Sequence, residues 1–370
     1  MNRPARIAVV GANGFVGRNL CLRLSEDARF VPVALTRDDA DALWADVIGG
    51  ADAIVNLAGV NRPPPGTGYE GNHQVVDRLT MLVDASRRET PILHLSSAKA
   101  GDGTPYGDSK KLAEDRLLAW SAATGVPVAI HRAVNVFGKW CRPDYNSAVA
   151  TFCHNVARDL PIRVDDPSTA LALIHIDDLI DTLIARLAEP VEPGFFDAGP
   201  VYATTVGAVA DAVRGFRADR ADNMIAHVGV GLPRALYATY VSYLPPADFS
   251  YAIESHRDPR GSFSEMLKTR DSGQFSFFTA HPGVTRGGHY HHAKTEKFLI
   301  VHGDALFRFR HMLTGETYEV RTTGETPTVV ETVPGWTHDV TNVGQDMLIA
   351  MLWANELFDR ARPDTIAEKV

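Results

Sequence analysis

The sequence predicts two domains of different class: an α/β domain with a doubly wound parallel sheet and a small helical lobe over residues 1–245, then an all-β barrel over residues 246–370. Three observations carry this. The N-terminus reads strand, glycine turn, helix, and the βα alternation continues to about residue 133, which builds a parallel sheet covered by helices. Pro245-Pro246 then ends a helical stretch, because proline lacks an N–H and pushes the residue before it into an extended shape. Beyond it, short runs rich in Phe, Val and Thr are separated by Gly, Pro and Asp, the texture of a small antiparallel barrel or sandwich.

The composition narrows the partners. A length of 370 residues fits two domains, and 45% hydrophobic with 22% charged residues supplies core for both. The net charge of -8, with no basic run, argues against nucleic acid or an acidic membrane surface, since neutralising phosphates takes a cationic face. Cys21, Cys141 and Cys153 cannot all pair and match no disulfide scaffold or zinc ribbon, so reduced thiols in a cytoplasmic protein are expected. The start lacks the layout of a signal peptide, and no run reaches the ~18 apolar residues of a membrane span.

Arg6-Ile7-Ala8-Val9-Val10 is the first strand. It empties into Gly11-Ala12-Asn13-Gly14-Phe15-Val16-Gly17 before a helix from Arg18 to Leu24, the context that a dinucleotide fingerprint requires. Glycines let the backbone approach a pyrophosphate, and the helix N-terminus offers free N–H groups and a partial positive charge. The next strand, Phe30 to Leu35, ends at Thr36-Arg37. An arginine where an acidic residue would bind the ribose suits a 2'-phosphate, predicting NADP over NAD, with a solvated surface arginine as the alternative. Further elements follow at Ala53 to Gly59, at a helix over Asn72 to Arg87, and at the strand Ile92 to Leu95, which leads into Ser96 and Ser97.

Ligands of such sheets bind at the carboxyl ends of the strands. Tyr106 and Lys110 lie just beyond one such end, four residues apart at the start of a helix reaching about Ala122, so they share a face. A nearby ammonium favours the phenolate and is expected to lower the tyrosine pKa, fitting Tyr106 for giving a proton to a carbonyl oxygen as hydride reaches its carbon. A pair of ordinary surface neighbours is the bland alternative. From about Asp178 to Tyr243 the pattern is mostly helical with a short strand near Gly194 to Ala198, read as the small lobe.

In the second domain, His289 and His291 alternate on a strand and can aim at one ion; imidazoles suit zinc, copper, iron or nickel. Glu296 has the wrong parity for the same unbroken strand, so Ala293 to Thr295 is expected to turn the chain and return Glu296 on the neighbouring strand. His338, after the turn signal Pro334-Gly335, is the candidate fourth ligand. Three His and one carboxylate hold Zn, Fe, Mn or Ni alike; zinc is favoured, because the chemistry below needs no redox metal.

With these residues in view, Gly11 to Gly17, Asn56-Leu57-Ala58-Gly59, Ser96-Ser97 and Tyr106 to Lys110 resemble the extended short-chain dehydrogenase/reductase family, a Rossmann-type fold acting on nucleotide sugars. The resemblance implies Ser97, with Ser96 as the alternative, for the carbonyl-binding hydroxyl, Tyr106 and Lys110 as its catalytic partners, and Gly11, Asn13, Gly14, Phe15, Val16, Gly17, Arg37, Leu57 and Ala58 around NADP or NADPH. It also implies that Asn135, Arg142 and Asn146 line the sugar-nucleotide pocket, a turn residue being the alternative for Asn135. The loop from the serines to Tyr106 is much shorter than in many members, and Ala98 stands where those often have a catalytic Ser or Thr. Gly283 to Gly303 and Pro334 to Asn342 resemble the two cupin motifs, with His289, His291, Glu296 and His338 as the implied ligands.

The whole chain is similar to a family of bifunctional capsular-polysaccharide enzymes with an N-terminal reductase and a C-terminal cupin, on stretches that include Phe137 to Cys141, Tyr145-Asn146-Ser147 and Pro363-Asp364-Thr365. It implies a UDP-2-acetamido-2,6-dideoxy-hexos-4-ulose substrate, C3 epimerisation in the cupin and NADPH reduction at C4 to UDP-N-acetyl-6-deoxy-L-talosamine, a precursor of N-acetyl-L-fucosamine for capsule or O-antigen. A homodimer is implied too. The rival expectations are a nucleotide-sugar epimerase, dehydratase or reductase with a purely structural cupin, a non-catalytic NADP-sensing protein, and an iron cupin dioxygenase.

Overall fold

The structure, a computed structural model, describes residues 3–253, 256–258, 261–263, 268–269, 273–356 and 361–370. The chain divides into two compact units, residues 1–136 with 172–203, and residues 137–171 with 204–370.

The first unit is built on a six-stranded parallel sheet. Its strands are β1 (Ala5–Val10), β2 (Phe30–Leu35), β3 (Ala53–Asn56), β4 (Ile92–Ser97), β5 (Val128–Ala133) and Gly194–Asp197, in the order β2-β1-β3-β4-β5 and then Gly194–Asp197. The strand order reverses at β1/β3, the switch point where such sheets bind ligands. Alternate residues of each strand feed opposite cores. Ile7 and Val9 join Leu20 and Leu24 of α1 (Phe15–Ser25) on one face, while Ala8 and Val10 join Trp44 of α2 (Asp41–Gly50), Leu79 of α3 (Gly71–Ser86) and Leu117 of α4 (Pro105–Thr124) on the other.

One expectation fails here. The stretch after Asp178, read as a separate lobe, starts inside this unit. Leu179, Ile180 and Leu183 of the helix Ile176–Leu187 complete the α1 core, and Gly194–Asp197 pairs in parallel with β5 as the sixth strand. An amphipathic helix and a short strand read the same in a lobe as in a sheet layer; what places them is the apolar face that α1 leaves open.

The second unit contains two five-stranded antiparallel sheets, as expected for the barrel. One runs Ser250–Ala252, Thr328–Glu331, Glu296–His302, Leu348–Ala354, Gln274–Ala280; the other runs Thr317–Thr323, Asp304–His311, Trp336–Asn342, Thr285–Tyr290, Ile366–Ala367. The same unit holds the helices Ala148–Val156, Val206–Ala221 and Gly231–Ser242, so compaction does not follow the 245/246 boundary read from the sequence. Polar ties account for this. Arg220 pairs with Glu331 at 2.6 Å, both almost fully buried, and Lys297 reaches the other oxygen of that carboxylate. Arg234 meets Glu356 at 3.0 Å, and the Asn355 amide donates to the Val228 carbonyl at 3.4 Å. A buried charge without its partner is costly, so these helices and the sheets stabilise each other.

Candidate active site and metal centre

The turn after β1 is shaped by what cannot be there. Gly11 has φ +81°, and a Cβ on it would lie 2.8 Å from the Ala58 nitrogen; a Cβ on Gly17 would lie 2.2 Å from the Gly11 carbonyl oxygen. The turn, the first turn of α1 and Leu57-Ala58 after β3 are therefore brought together at the switch point. Asn56 holds the second of these strand ends, its Oδ1 accepting from the Ala58 N–H at 3.2 Å. Helix α1 starts at Gly14 with no side-chain cap and no acidic residue in its first turn, leaving its N–H groups for an anion. Asn13 and Gly14 are exposed, and Phe15 and Val16 pack onto the core. Arg37, just past β2, is exposed and lies 3.6 Å from Asp38.

Ser96 and Ser97 end β4 with opposite fates. The Ser96 hydroxyl is buried and donates to Glu114 at 2.6 Å, whose carboxylate also takes a bidentate pair from Arg132 at 2.9 and 2.6 Å. Ser97, the next residue, lies beside the Tyr106 phenol, and its hydroxyl accepts from the Lys99 N–H at 3.2 Å. Thr104 caps α4, accepting from the Gly107 N–H at 3.0 Å, with Pro105 in the first turn. Gly101 and Gly103, both at positive φ, let the short loop fold tightly onto that helix start. The Lys110 ammonium is buried and donates to the Leu95 carbonyl at 3.1 Å.

The ionisation of this pair differs from the expectation. Burial pushes the Tyr106 phenol above its ordinary value, with nearby Ser97 pulling the other way, so the phenol is not lowered by Lys110. The lysine is turned to Leu95, and burial pushes it down to about 8 against a raising pull from Glu114. Near neutral pH both groups hold their protons, the state an acid catalyst needs. The Asn135 side chain is exposed and donates to the Ala172 carbonyl at 3.2 Å. In the second unit, Arg142 and Asn146 are exposed, and the Arg142 guanidinium sits 5.3 Å from the centre of the Tyr145 ring.

The second unit brings His289, His291, Glu296 and His338 together, with one candidate ligand atom from each all within 4.8 Å of one another. The route differs from the expected hairpin. Gly287 and Gly288 take positive φ at a bulge, which places His289 opposite His338 in the antiparallel register. The strand ends at Tyr290, so His291 sits on the following loop, and Glu296 opens a strand of the other sheet rather than the neighbouring one. His291 Nε2 lies 3.1 Å and His338 Nε2 3.6 Å from Glu296 Oε2. Burial works against the Glu296 carboxylate, yet His291 and His338 hold it well below the usual range; burial and the two neighbouring rings push His289 down to about 3. Two features fit a divalent cation: His291 engages the Asp364 carbonyl through Nδ1, which aims Nε2 inward, and both ring nitrogens of buried His338 lack a hydrogen-bond partner. The Gly335 N–H, donating to the His291 carbonyl at 3.0 Å, joins the two motifs.

Sequence reasoning missed several contributors. Asn72 in α3 binds both the Val60 backbone and the Ser109 hydroxyl, and the Tyr69 ring stands edge-on to Tyr106 at 5.7 Å. Lys294, in the loop between His291 and Glu296, is buried, donates to Thr365 at 2.8 Å and lies 3.4 Å from Glu296. No local pattern marks these contacts, because Ser109, Tyr106 and Thr365 lie far along the chain from Asn72, Tyr69 and Lys294.

A parallel sheet with a glycine turn at its switch point and a Ser, Tyr and Lys set at the next strand end defines a dinucleotide-dependent enzyme of reductase/epimerase type, here carrying a barrel with a His3Glu cluster. The chain belongs to the NAD dependent epimerase/dehydratase family, whose model matches residues 7–199, and a polysaccharide biosynthesis C-terminal domain matches residues 256–366. It is 50% identical over 367 residues, 98% of each chain, to UDP-2-acetamido-2,6-beta-L-arabino-hexul-4-ose reductase of Pseudomonas aeruginosa. Among solved structures, capsular polysaccharide assembling protein CapF from Staphylococcus aureus matches at TM-score 0.66 and 36% identity, covering 99% of this chain and 100% of that one. UDP-N-acetylglucosamine 4-epimerase from Bacillus cereus, at 20% identity and TM-score 0.51, shares the fold over 58% of this chain and 82% of its own. No helix among the described residues is long and apolar enough to cross a membrane.

Proposed function

We propose that the chain is an NADPH-dependent nucleotide-sugar reductase with a 3-epimerase activity in its cupin barrel, acting on a UDP-2-acetamido-2,6-dideoxy-hexos-4-ulose in capsule or O-antigen synthesis. The observation that carries the reductase reading is the grouping of Ser97, the Tyr106 phenol and the buried Lys110 ammonium, held to the Leu95 carbonyl, at one strand end, in a chain matched over 98% of its length by a reductase of such a sugar. Bound NADPH supplies hydride for the C4 carbonyl. Ser97 and Tyr106 hold the carbonyl oxygen, and Tyr106 delivers its phenolic proton to it, leaving the C4 hydroxyl. Lys110 lends positive charge as that proton leaves. Gly11 to Gly17 with Leu57 and Ala58 would hold the dinucleotide, Arg37 would supply charge for a 2'-phosphate, and Asn135, Arg142 and Asn146 would bind the UDP-sugar.

His289, His291, Glu296 and His338 hold a divalent ion, with zinc favoured. Such an ion supplies a Lewis acid for a carbonyl oxygen when bound. The C3 proton is acidic only while C4 is a ketone, so epimerisation precedes reduction, and reduction then traps the epimer. The reductase maps to residues 1–245 and the epimerase to 246–370, in a cytoplasmic homodimer. Incubating Tyr106→Phe protein with the keto-sugar in deuterated water tests the division of labour: deuterium should enter C3 without reduction at C4. No deuterium at C3 would reduce the barrel to a structural role.

A further inference from the structure

His291 reaches the cluster from a loop that leaves one sheet and enters the other, and a loop in that position needs something to fix it. The chain supplies this from far away. The Asp364 carboxylate accepts three successive backbone N–H groups of the loop, from His292 on Oδ1 at 2.8 Å and from Ala293 and Lys294 on Oδ2 at 2.7 Å each. Its own carbonyl engages His291 Nδ1. The next residue, Thr365, accepts from Lys294 Nζ, and Ile366–Ala367 pairs with Tyr290 and His289 of the first ligand strand. Glu368 N–H then donates to the Gly288 carbonyl at 2.8 Å, at the bulge that aims His289.

We infer that Asp364 is a positioning residue for the metal centre, its carboxylate and carbonyl together setting where His291 stands. The inference rests on the reading of His289, His291, Glu296 and His338 as metal ligands. An amide at 364 cannot reproduce the contact. If its oxygen takes the place that receives two N–H groups, its NH2 faces the third, so at least one donor is left without an acceptor and the loop shifts. Outer partners of metal ligands typically cost ~10–100-fold in metal affinity when changed, and Asp364 holds one ligand through two routes.

The experiment is competition for zinc against a chromophoric chelator, using full-length wild-type, Asp364→Asn and Asp364→Glu protein, with NADPH binding and thermal unfolding of the metal-free proteins measured alongside. The expected result is zinc binding ~10–100-fold weaker in Asp364→Asn, a smaller loss in Asp364→Glu, and NADPH affinity and apo-protein unfolding close to wild type. Should Asp364→Asn fail to fold, Asp364→Glu, which keeps the carboxylate, still has to bind zinc more weakly than wild type. Zinc affinity equal to wild type overturns the inference, as does a loss that comes with equal loss of NADPH binding. Wild-type protein that takes up no zinc overturns the metal reading itself, and the inference with it.

Discussion

The two candidate sites are assembled in opposite ways. In the first unit the chemistry sits on one helix and the strand end before it: Tyr106 and Lys110 share a face of α4, and Thr104 fixes where that helix starts. In the second unit four ligands come from three separate segments and both sheets, and the C-terminal segment braces two of them. A site built on one helix tolerates change elsewhere in its unit. A site that exists only where remote strands meet is exposed to any change that moves one of them.

The largest effect that would sharpen this contrast is expected from Tyr106→Phe. Removing the proton donor should slow NADPH consumption ~10²–10⁴-fold while zinc content by elemental analysis stays at the wild-type value. A variant that loses both would break the comparison. His291→Ala is the counterpart. It should abolish zinc retention and C3 deuterium exchange, beyond the ~10–100-fold typical of an outer partner, while NADPH binding measured by fluorescence titration is unchanged.

Smaller effects come from Lys110. Its ammonium is present below a pKa of about 8 and lost above it, so the reduction rate at saturating substrate should be level at lower pH and fall about tenfold per unit beyond that point. A profile level through alkaline pH would remove Lys110 from the chemistry. The buried ammonium acts on stability in the reverse sense. Its folded value lies below the ordinary lysine value, so it subtracts stability below about 8 and the deficit fades as pH rises from there toward that ordinary value. The least effect belongs to Arg37, whose side chain is 94% exposed. Arg37→Ser should narrow the preference for NADPH over NADH severalfold, the ~0.2–1 kcal/mol of a screened surface contact, read from kcat/KM with each cofactor.

The same contrast governs what could be read from the sequence. Gly11 to Gly17 and Tyr106 with Lys110 sit in short patterns, and the four candidate ligands come together although His291 lies on a loop and Glu296 on the other sheet. The burial of Ser96 was not legible, because its hydroxyl is held by Glu114, 18 positions further on. Nor was the direction of the Tyr106 shift, since burial is a property of the packed unit. The route of Glu296 was misread for a related reason. Parity says that a chain must turn, but the sheet it enters is decided by Asp364 and by Asn355, whose Oδ1 accepts from the Thr295 N–H at 2.9 Å.

The buried Arg220–Glu331–Lys297 cluster bears on how this protein can be taken apart. A chain cut at 245/246 to isolate the barrel discards Arg220, and with it the 2.6 Å partner of Glu331, as well as the Val228 carbonyl that Asn355 holds. Removing one member of a buried ion pair costs about 3–5 kcal/mol, a large share of the stability of a domain this size. Any dissection aimed at the metal chemistry should therefore carry the helical segments along, and an inactive isolated barrel would say more about the cut than about catalysis.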